Sequence, residues 1–393
     1  MGIFHTPEQF VEKALQLQHP MDSANPLWEC TRKTLQLVKE STPEAISLMR
    51  KTNLLKAKLL QKQLAGQERE LHQKLHPSVQ TVVADKNILP WRTLLETHGF
   101  DDMGVVELLT EGTRLVGVCP KPDCFEPKVK PATLSEEQLR ASAVWRRKAI
   151  MQSKRTALSS EPEHVSHLDD ASEEEVKLGF MEGPFSEAEV TAKLGHPDWC
   201  LFILDQGGGK LRPIDDALES QLNTAFTATI RLDLQTSDYV AALALKVAEV
   251  ANQPRSRHAE WVGKCLDLSK AYKQMPLHPE HRDLAVVWYR GAEGEDKFYL
   301  CNSLLFGASA SVFAFIRVSR SLSFLLNKVA LIPSSVFFDD FPLFTPSSSG
   351  EEADQGASEL LDLLGWRYAK SGKKGLPFSK AFDVLGLNCT SRP

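Results

Sequence analysis

The sequence predicts an α+β fold in which a mainly α-helical N-terminal region precedes short strand pairs with packed helices. Three observations carry this expectation. Residues 7–40 and 42–74 are helix-like: Pro20 and Pro26 break the first stretch, and Thr42-Pro43-Glu44 opens the second with a capping hydroxyl, a first-turn proline and an acid. From Trp199 onward, strand-like runs come as adjacent pairs: Trp199–Leu204 with Lys210–Ile214 across a glycine triplet, and Leu284–Tyr289 with Lys297–Asn302 across G-A-E-G-E-D. Helices rich in alanine and other small residues, at 236–252 and 308–314, are interspersed among these pairs. Locally joined strands of this kind build antiparallel sheets against which helices pack.

Length and composition set the frame. At 393 residues, 42% hydrophobic and 25% charged, the chain is globular in composition and long enough for two or three domains. No run approaches about 18 apolar residues, so no membrane span is expected. The start, M-G-I-F-H-T-P-E-Q-F, lacks the basic and apolar regions of a secretory signal. Seven scattered cysteines fit a reducing compartment, so a nuclear or cytoplasmic location is expected. Cys119 and Cys124 form the one close pair, with spacing unlike a zinc knuckle. The net charge of −5 counts against extended nucleic-acid contact, in which phosphate contacts dominate affinity. Its distribution is uneven, however: Lys51 to Lys74 and Arg140 to Arg155 are basic, and much of the acid lies in Glu161 to Glu175.

Within the N-terminal region, Leu48, Leu55, Leu59, Leu64, Leu71 and Leu75 predict one apolar stripe on the second helix, with Lys56, Lys58 and Lys62 on its polar face. Two uses stay open: a packing helix of its own domain, or a basic helix that contacts nucleic acid or forms a coiled coil. Gly66 weakens the expectation of one uninterrupted helix. C-P-K-P-D-C-F-E-P-K-V-K-P predicts a loop, and Ser135-Glu136-Glu137-Gln138 a capping box opening a helix with a basic end. Residues 156–175 predict a linker or exposed loop, and Ser186-Glu187-Ala188-Glu189 a second capping box.

Chemistry concentrates in S-S-V-F-F-D-D-F-P-L-F, Ser334 to Phe344. Its apolar frame predicts a buried hairpin with Asp339 and Asp340 at or near the turn. Burying a carboxylate without a partner costs several kcal/mol, so two adjacent ones call for a cation. Hard oxygen ligands suit Mg²⁺ better than zinc. Upstream, W-V-G-K-C-L-D-L predicts a strand that delivers Asp267 at its end. With the two strands side by side, Asp267, Asp339 and Asp340 would cage two Mg²⁺, an arrangement that supports in-line displacement at phosphorus.

These stretches resemble retroelement reverse transcriptases. D-L-S-K-A-Y-K-Q, from Asp267, is similar to the first palm motif, and F-F-D-D-F to the Y-x-D-D motif. L-L-F-G-A-S-A-S-V-F-A-F-I-R, Leu304 to Arg317, resembles the helix motif between them, and K-L-R-P-I-D-D-A-L-E-S-Q-L-N, Lys210 to Asn223, the fingers motif. L-L-G-W-R-Y…K-S-G-K-K and F-D-V-L-G-L resemble the two motifs that close the palm. The resemblance covers Pro184 to Cys389, roughly half the chain, with the motifs in the family's order. It departs from the family at Leu305 (usually proline), at Ser311 and at Phe337 (usually tyrosine), none of which removes a catalytic group.

The resemblance implies right-hand polymerase fingers and palm, with an antiparallel palm sheet: a helical extension over 1–155, an acidic linker over 156–180, fingers over 181–255 and palm over 256–393. It implies RNA-directed DNA polymerase activity on an RNA or DNA template-primer with dNTPs and two Mg²⁺, which Mn²⁺ can replace. Asp267, Asp339 and Asp340 would be the catalytic metal ligands. Lys210 and Arg212 would grip the triphosphate, Tyr272 would block a ribose 2′-hydroxyl, and Gln274, Phe306 and Gly307 would line the nucleotide site. Lys370, Lys373 or Lys374 would reach the leaving pyrophosphate as proton donor, with Lys373 and Lys374 the nominated pair. No thumb is expected after Cys389, and no RNase H, protease or integrase segment is visible, so other polyprotein parts are expected partners. The other open function is an inactive retroelement remnant that binds nucleic acid or protein. A third is RNA synthesis on the same palm.

Overall fold

Thr42 accepts a hydrogen bond from the Ala45 amide and Pro43 fills the first turn, so the helix they open runs unbroken over Pro43–Lys74. One internal glycine costs only about 1 kcal/mol, and Gly66 does not interrupt it. This computed structural model describes residues 5–16, 27–154, 162–206, 213–216, 220–253, 256–258 and 260–390. It is mixed α/β, 53% helical and 18% strand with small mixed sheets, which is compatible with the α+β class.

The buried face of the long helix is not the leucine stripe. Ile46, Arg50, Leu54, Ala57 and Glu68 are buried, whereas Leu48, Leu55 and Leu59 are exposed. The helix packs against Ile88–His98 and Gly350–Leu364, and two buried charges take their places in that contact. Glu68 accepts the amides of Ile88 and Leu89 at 2.6 and 2.8 Å, which satisfies the open N-terminus of the helix Ile88–His98. Arg50 donates from Nε to the Ala330 carbonyl at 2.7 Å.

Three further segments differ from expectation. The acidic stretch is helical over Pro162–Lys177, because Val165, Leu168 and Ser172 fall at helical spacing and are buried. Pro127–Lys130 is an edge strand rather than loop, with its proline at the first position, where a missing donor is tolerated. The sequence places a polar loop over 347–356 and a helix over 357–365, but the helix begins at Gly350, with Glu351 and Glu352 in its first turn and Ala353, Gly356 and Ala357 on its buried face.

Four sheets occur among the described residues. The largest orders Met181–Phe185, Asp296–Cys301, Val286–Arg290, Leu201–Gln206 and Pro213–Asp216, and so joins strands from both sides of residue 256. Gly117–Val118 and Pro127–Lys130 flank Phe226–Ile230. Trp261–Asp267 pairs antiparallel with Asp340–Pro346, and Ala381–Val384 with Leu387–Thr390. The N-terminal helices do not carry a separate core. Leu54, Val79, Trp91 and Val105 share one apolar cluster with Leu266, Phe315, Leu343 and Leu360.

The helix Ser309–Lys328 runs through that core. Among the described residues it is the one helix long and apolar enough to cross a membrane, and 72% of its apolar window is buried inside the protein. It therefore packs as a core helix. Arg317, on this helix, forms a bidentate pair with Asp102, Nε–Oδ2 and Nη2–Oδ1 both 2.7 Å, with both side chains almost wholly buried. Breaking such a pair strands a buried charge. Asp102→Ala is expected to lower stability by about 3–5 kcal/mol, read as a fall in the urea midpoint. A midpoint within error of the native value would show that the pair does not clamp the N-terminal region to the core.

Candidate active site

The strand Trp261–Asp267 alternates Trp261, Gly263, Cys265 and Asp267 on one face with Val262, Lys264 and Leu266 on the other. Its partner Asp340–Pro346 pairs with it in a register that sets Asp340 opposite Asp267, Phe341 opposite Leu266 and Leu343 opposite Lys264. Leu266, Phe341 and Leu343 are buried in the main core, so the two acids share the opposite face. Directly opposed residues bring their Cβ atoms to about 4.5–5.5 Å.

The hairpin before Asp340 turns tightly. Phe337 and Asp340 exchange both backbone hydrogen bonds, at 2.9 and 3.0 Å, which leaves Phe338 and Asp339 as a two-residue turn. Phe338 sits in the left-handed region at φ 53°, where a residue with a side chain is strained. The Asp339 carbonyl accepts the Leu268 amide at 3.1 Å, so the turn is stitched to the residue after Asp267. The three acids thus stand at one end of the ribbon.

Their electrostatics are mutual. Burial pushes the Asp340 carboxyl above its usual range, and the charges of Asp339 and Asp267 push the same way. The Cys265 thiol, one step along the same face, donates to Asp340 Oδ1 at 3.7 Å and is held protonated by burial and then by the Asp340 charge. Lys374 hydrogen-bonds Asp267 through Nζ. Burial alone would lower its pKa, but that bond and the charges of Asp267, Asp339 and Asp340 outweigh it and raise it. Lys370 instead pairs with Asp362 at 2.8 Å, and Lys373 is exposed on the same short turn as Lys374.

Three carboxylates that repel one another form a donor set that suits a hard divalent cation. The set is not a preformed cage: among the described residues no three His, Cys, Asp or Glu side chains converge to hold an ion as they stand. The cation now against Asp267 is the ammonium of Lys374.

The remaining residues fall in two groups around this end. Tyr272 is buried, its ring 4.9 Å from Phe306 and 4.7 Å from Phe315. Burial raises its pKa, and the nearby Asp339 charge adds to the effect. Phe306 is 40% exposed, and Gly307 takes φ 86°, which suits glycine. Both lie where Asn223 closes the turn: its side chain donates to the Gly307 carbonyl at 2.9 Å and accepts the Ser309 amide at 2.7 Å, capping the core helix from another segment. The Gln274 amide is held entirely by protein groups. Its Oε1 accepts Lys86 Nζ at 2.9 Å and the Arg367 amide at 2.8 Å, and its Nε2 donates to the Ser269 and Arg367 carbonyls at 2.8 and 2.9 Å. An amide has two donors and two acceptor sites, so none is left. Lys210 and Arg212 lie outside the described residues.

Sequence reasoning passed over Lys86, Asn223 as a cap, and Cys265. Each acts on a partner far away in the chain or through an alternation visible only once the register is known. Neither any family model nor any curated protein compared with the chain matches it.

Lys86 gives a direct titration test. Burial lowers its pKa from the ordinary 10.5 to about 7, Arg367 adds to the shift and Asp85 opposes it. Below about 7 both folded and unfolded chains carry the charge, and the fold bears its full desolvation penalty. Between about 7 and 10.5 the folded chain releases a proton that the unfolded chain keeps, so stability rises with pH across this window. The melting temperature of the native chain is expected to gain on that of Lys86→Met between pH 6.5 and pH 9, flanking the shifted value. A constant gap would mean that Lys86 does not titrate there.

Proposed function

We propose that the chain is the fingers-and-palm portion of a retroelement reverse transcriptase, an RNA-directed DNA polymerase acting on a template-primer in the nucleus or cytoplasm. The observation that carries this reading is the register that sets Asp340 opposite Asp267, with Asp339 at the adjoining turn and Tyr272 beside it. The primer 3′-hydroxyl attacks the α-phosphorus of a dNTP, a P–O bond forms, and pyrophosphate leaves. Asp267, Asp339 and Asp340 would hold Mg²⁺ or Mn²⁺, which would supply charge neutralisation for the transfer. Lys374 Nζ, the ammonium nearest the acids, is the proton donor to pyrophosphate. Tyr272 closes the space that a ribose 2′-hydroxyl needs, and Lys210 and Arg212 grip the triphosphate. Orientation and charge placement do most of the work in transfers of this class.

A second reading has its own support. Lys374 gives Asp267 a cationic partner from within the chain, as befits a remnant that binds nucleic acid or protein and catalyses nothing.

Primer extension on an RNA template with dNTPs and Mg²⁺ separates the two. The native chain is expected to extend the primer, and Asp339→Ala with Asp340→Ala to lose at least about a hundredfold of that rate. A folded native chain that binds template-primer but extends nothing, with or without a separately added thumb segment, would support the remnant. Mg²⁺ is also expected to raise the melting temperature of the native chain and not that of the double variant. Sugar choice gives another test: Tyr272→Val should raise ribonucleotide incorporation relative to deoxynucleotides, and an unchanged ratio would remove the sugar gate from Tyr272.

A further inference from the structure

We propose that Lys86, from the N-terminal region, is a positioning residue of the candidate active site: it locks the Gln274 amide and thereby holds loop 268–275, which carries Tyr272, against the strand end at Asp267. The role in catalysis rests on the polymerase reading above; the lock itself does not.

The loop needs a lock. Lys270 sits at φ 50°, a left-handed conformation that costs a residue with a side chain about 1 kcal/mol or more. The loop backbone meets the strand-end side of the site through two bonds, Ser269 N to the Arg367 carbonyl and Leu268 N to the Asp339 carbonyl, both 3.1 Å; its far end is tied by Leu304 N to the Met275 carbonyl at 3.0 Å, and Lys270 and Lys273 pair with Glu174 and Glu175 on the outside. Gln274 gathers these strands of support. One amide ties the loop to itself at Ser269 and to Arg367 twice, through carbonyl and amide.

An amide in that position can be flipped, and a flipped one would point Nε2 at the Arg367 amide. Lys86 prevents this. Its Nζ donates to Gln274 Oε1 at 2.9 Å and to the Gly365 carbonyl at 2.7 Å, and in its ammonium form it has no lone pair with which to accept a flipped Nε2. The ammonium also lies 4.4 Å from the Trp366 ring centre. Lys86 is itself fixed by close packing: Gly365 caps its helix at φ 78°, and a Cβ there would come within 1.8 Å of the Asp85 carbonyl. Asp85 pairs with Arg367 at 2.7 Å, so the two residues flanking this contact bind the same segment. The lysine thus joins the end of helix Gly350–Leu364 to the loop through one buried nitrogen.

The test is hydrogen exchange on the full chain, native against Lys86→Met, with dNTP kinetics alongside. Methionine matches the stem and removes a buried charge, so the variant is expected to fold. Losing a buried hydrogen bond to a charged donor should speed exchange in 268–275 about tenfold or more, with the helix Ser309–Lys328 unchanged. In an active chain the KM for dNTP should rise about tenfold with a smaller change in kcat, and the preference against ribonucleotides should fall. If Lys86→Met does not fold, Lys86→Leu, which likewise lacks a donor, serves for the same readings. Unchanged exchange in 268–275 overturns the proposal whatever the activity. Faster exchange in a chain whose native form never extends a primer upholds the lock and overturns the polymerase reading alone. Faster exchange with KM and sugar preference unmoved in an active chain overturns the positioning role.

Discussion

The antiparallel ladder of Trp261–Asp267 with Asp340–Pro346 is the constraint on which the rest of the site depends. Its register is not set by the acids, which repel each other. It is set by Leu266, Phe341 and Leu343, which are buried on the far face of the same ribbon. A slip of Asp340–Pro346 by one residue would turn its side chains over, sending Phe341 and Leu343 towards the acidic face and a carboxylate into the core. Each such apolar burial is worth about 1.5–3 kcal/mol, so the three together exceed the roughly 3 kcal/mol repulsion between two partly solvated carboxylates about 5 Å apart. The core therefore dictates the meeting of Asp340 and Asp267, and the chemistry of the opposite face follows from packing.

Strain gathers on either side of this ladder. Phe338 before Asp340 and Lys270 after Asp267 both take left-handed backbone conformations without being glycine. Conformations of this kind persist only where surroundings over-determine them. Here the surroundings are hydrogen bonds of long sequence separation: Asp339 carbonyl to Leu268, Asp267 carbonyl to Ala369, and the Gln274 amide to Arg367. This end of the ladder is thus held by contacts between three segments, and the N-terminal region enters through Lys86 and through the Asp102–Arg317 pair.

What could be read from the sequence was what is local. The Phe337–Phe341 stretch has its acids framed by apolar residues within a few positions, and Asp267 ends an apolar strand, so both could be placed without knowing their partners. The caps at Thr42 and Ser186 were legible for the same reason, and both side chains accept the predicted amides. The burial pattern of Pro43–Lys74 was not, because Arg50 and Glu68 are buried by groups at Ala330 and at Ile88 and Leu89, which hydrophobicity alone does not see. The helix Pro162–Lys177 was hidden by its acidity, although Val165, Leu168 and Ser172 keep a helical spacing. Gln274 is placed at the nucleotide site by the family resemblance; only the distant Lys86 and Arg367 reveal that its amide is fully used.

Charge shows why a sum over the chain misleads about one site. The net charge of −5 suggests a surface hostile to phosphate. Yet Glu174 and Glu175, in the most acidic stretch, pair with Lys270 at 2.8 Å and with the buried Lys273 at 3.2 Å, next to the loop that bears Tyr272. Those acids compensate lysines that would otherwise crowd the strand end, and they leave Lys374 as the ammonium against Asp267. Interactions over a few ångström in partly buried surroundings outweigh distant surface charge, which salt screens beyond about 10 Å. The field at the aspartates is consequently set by three acids and one lysine, whatever the total.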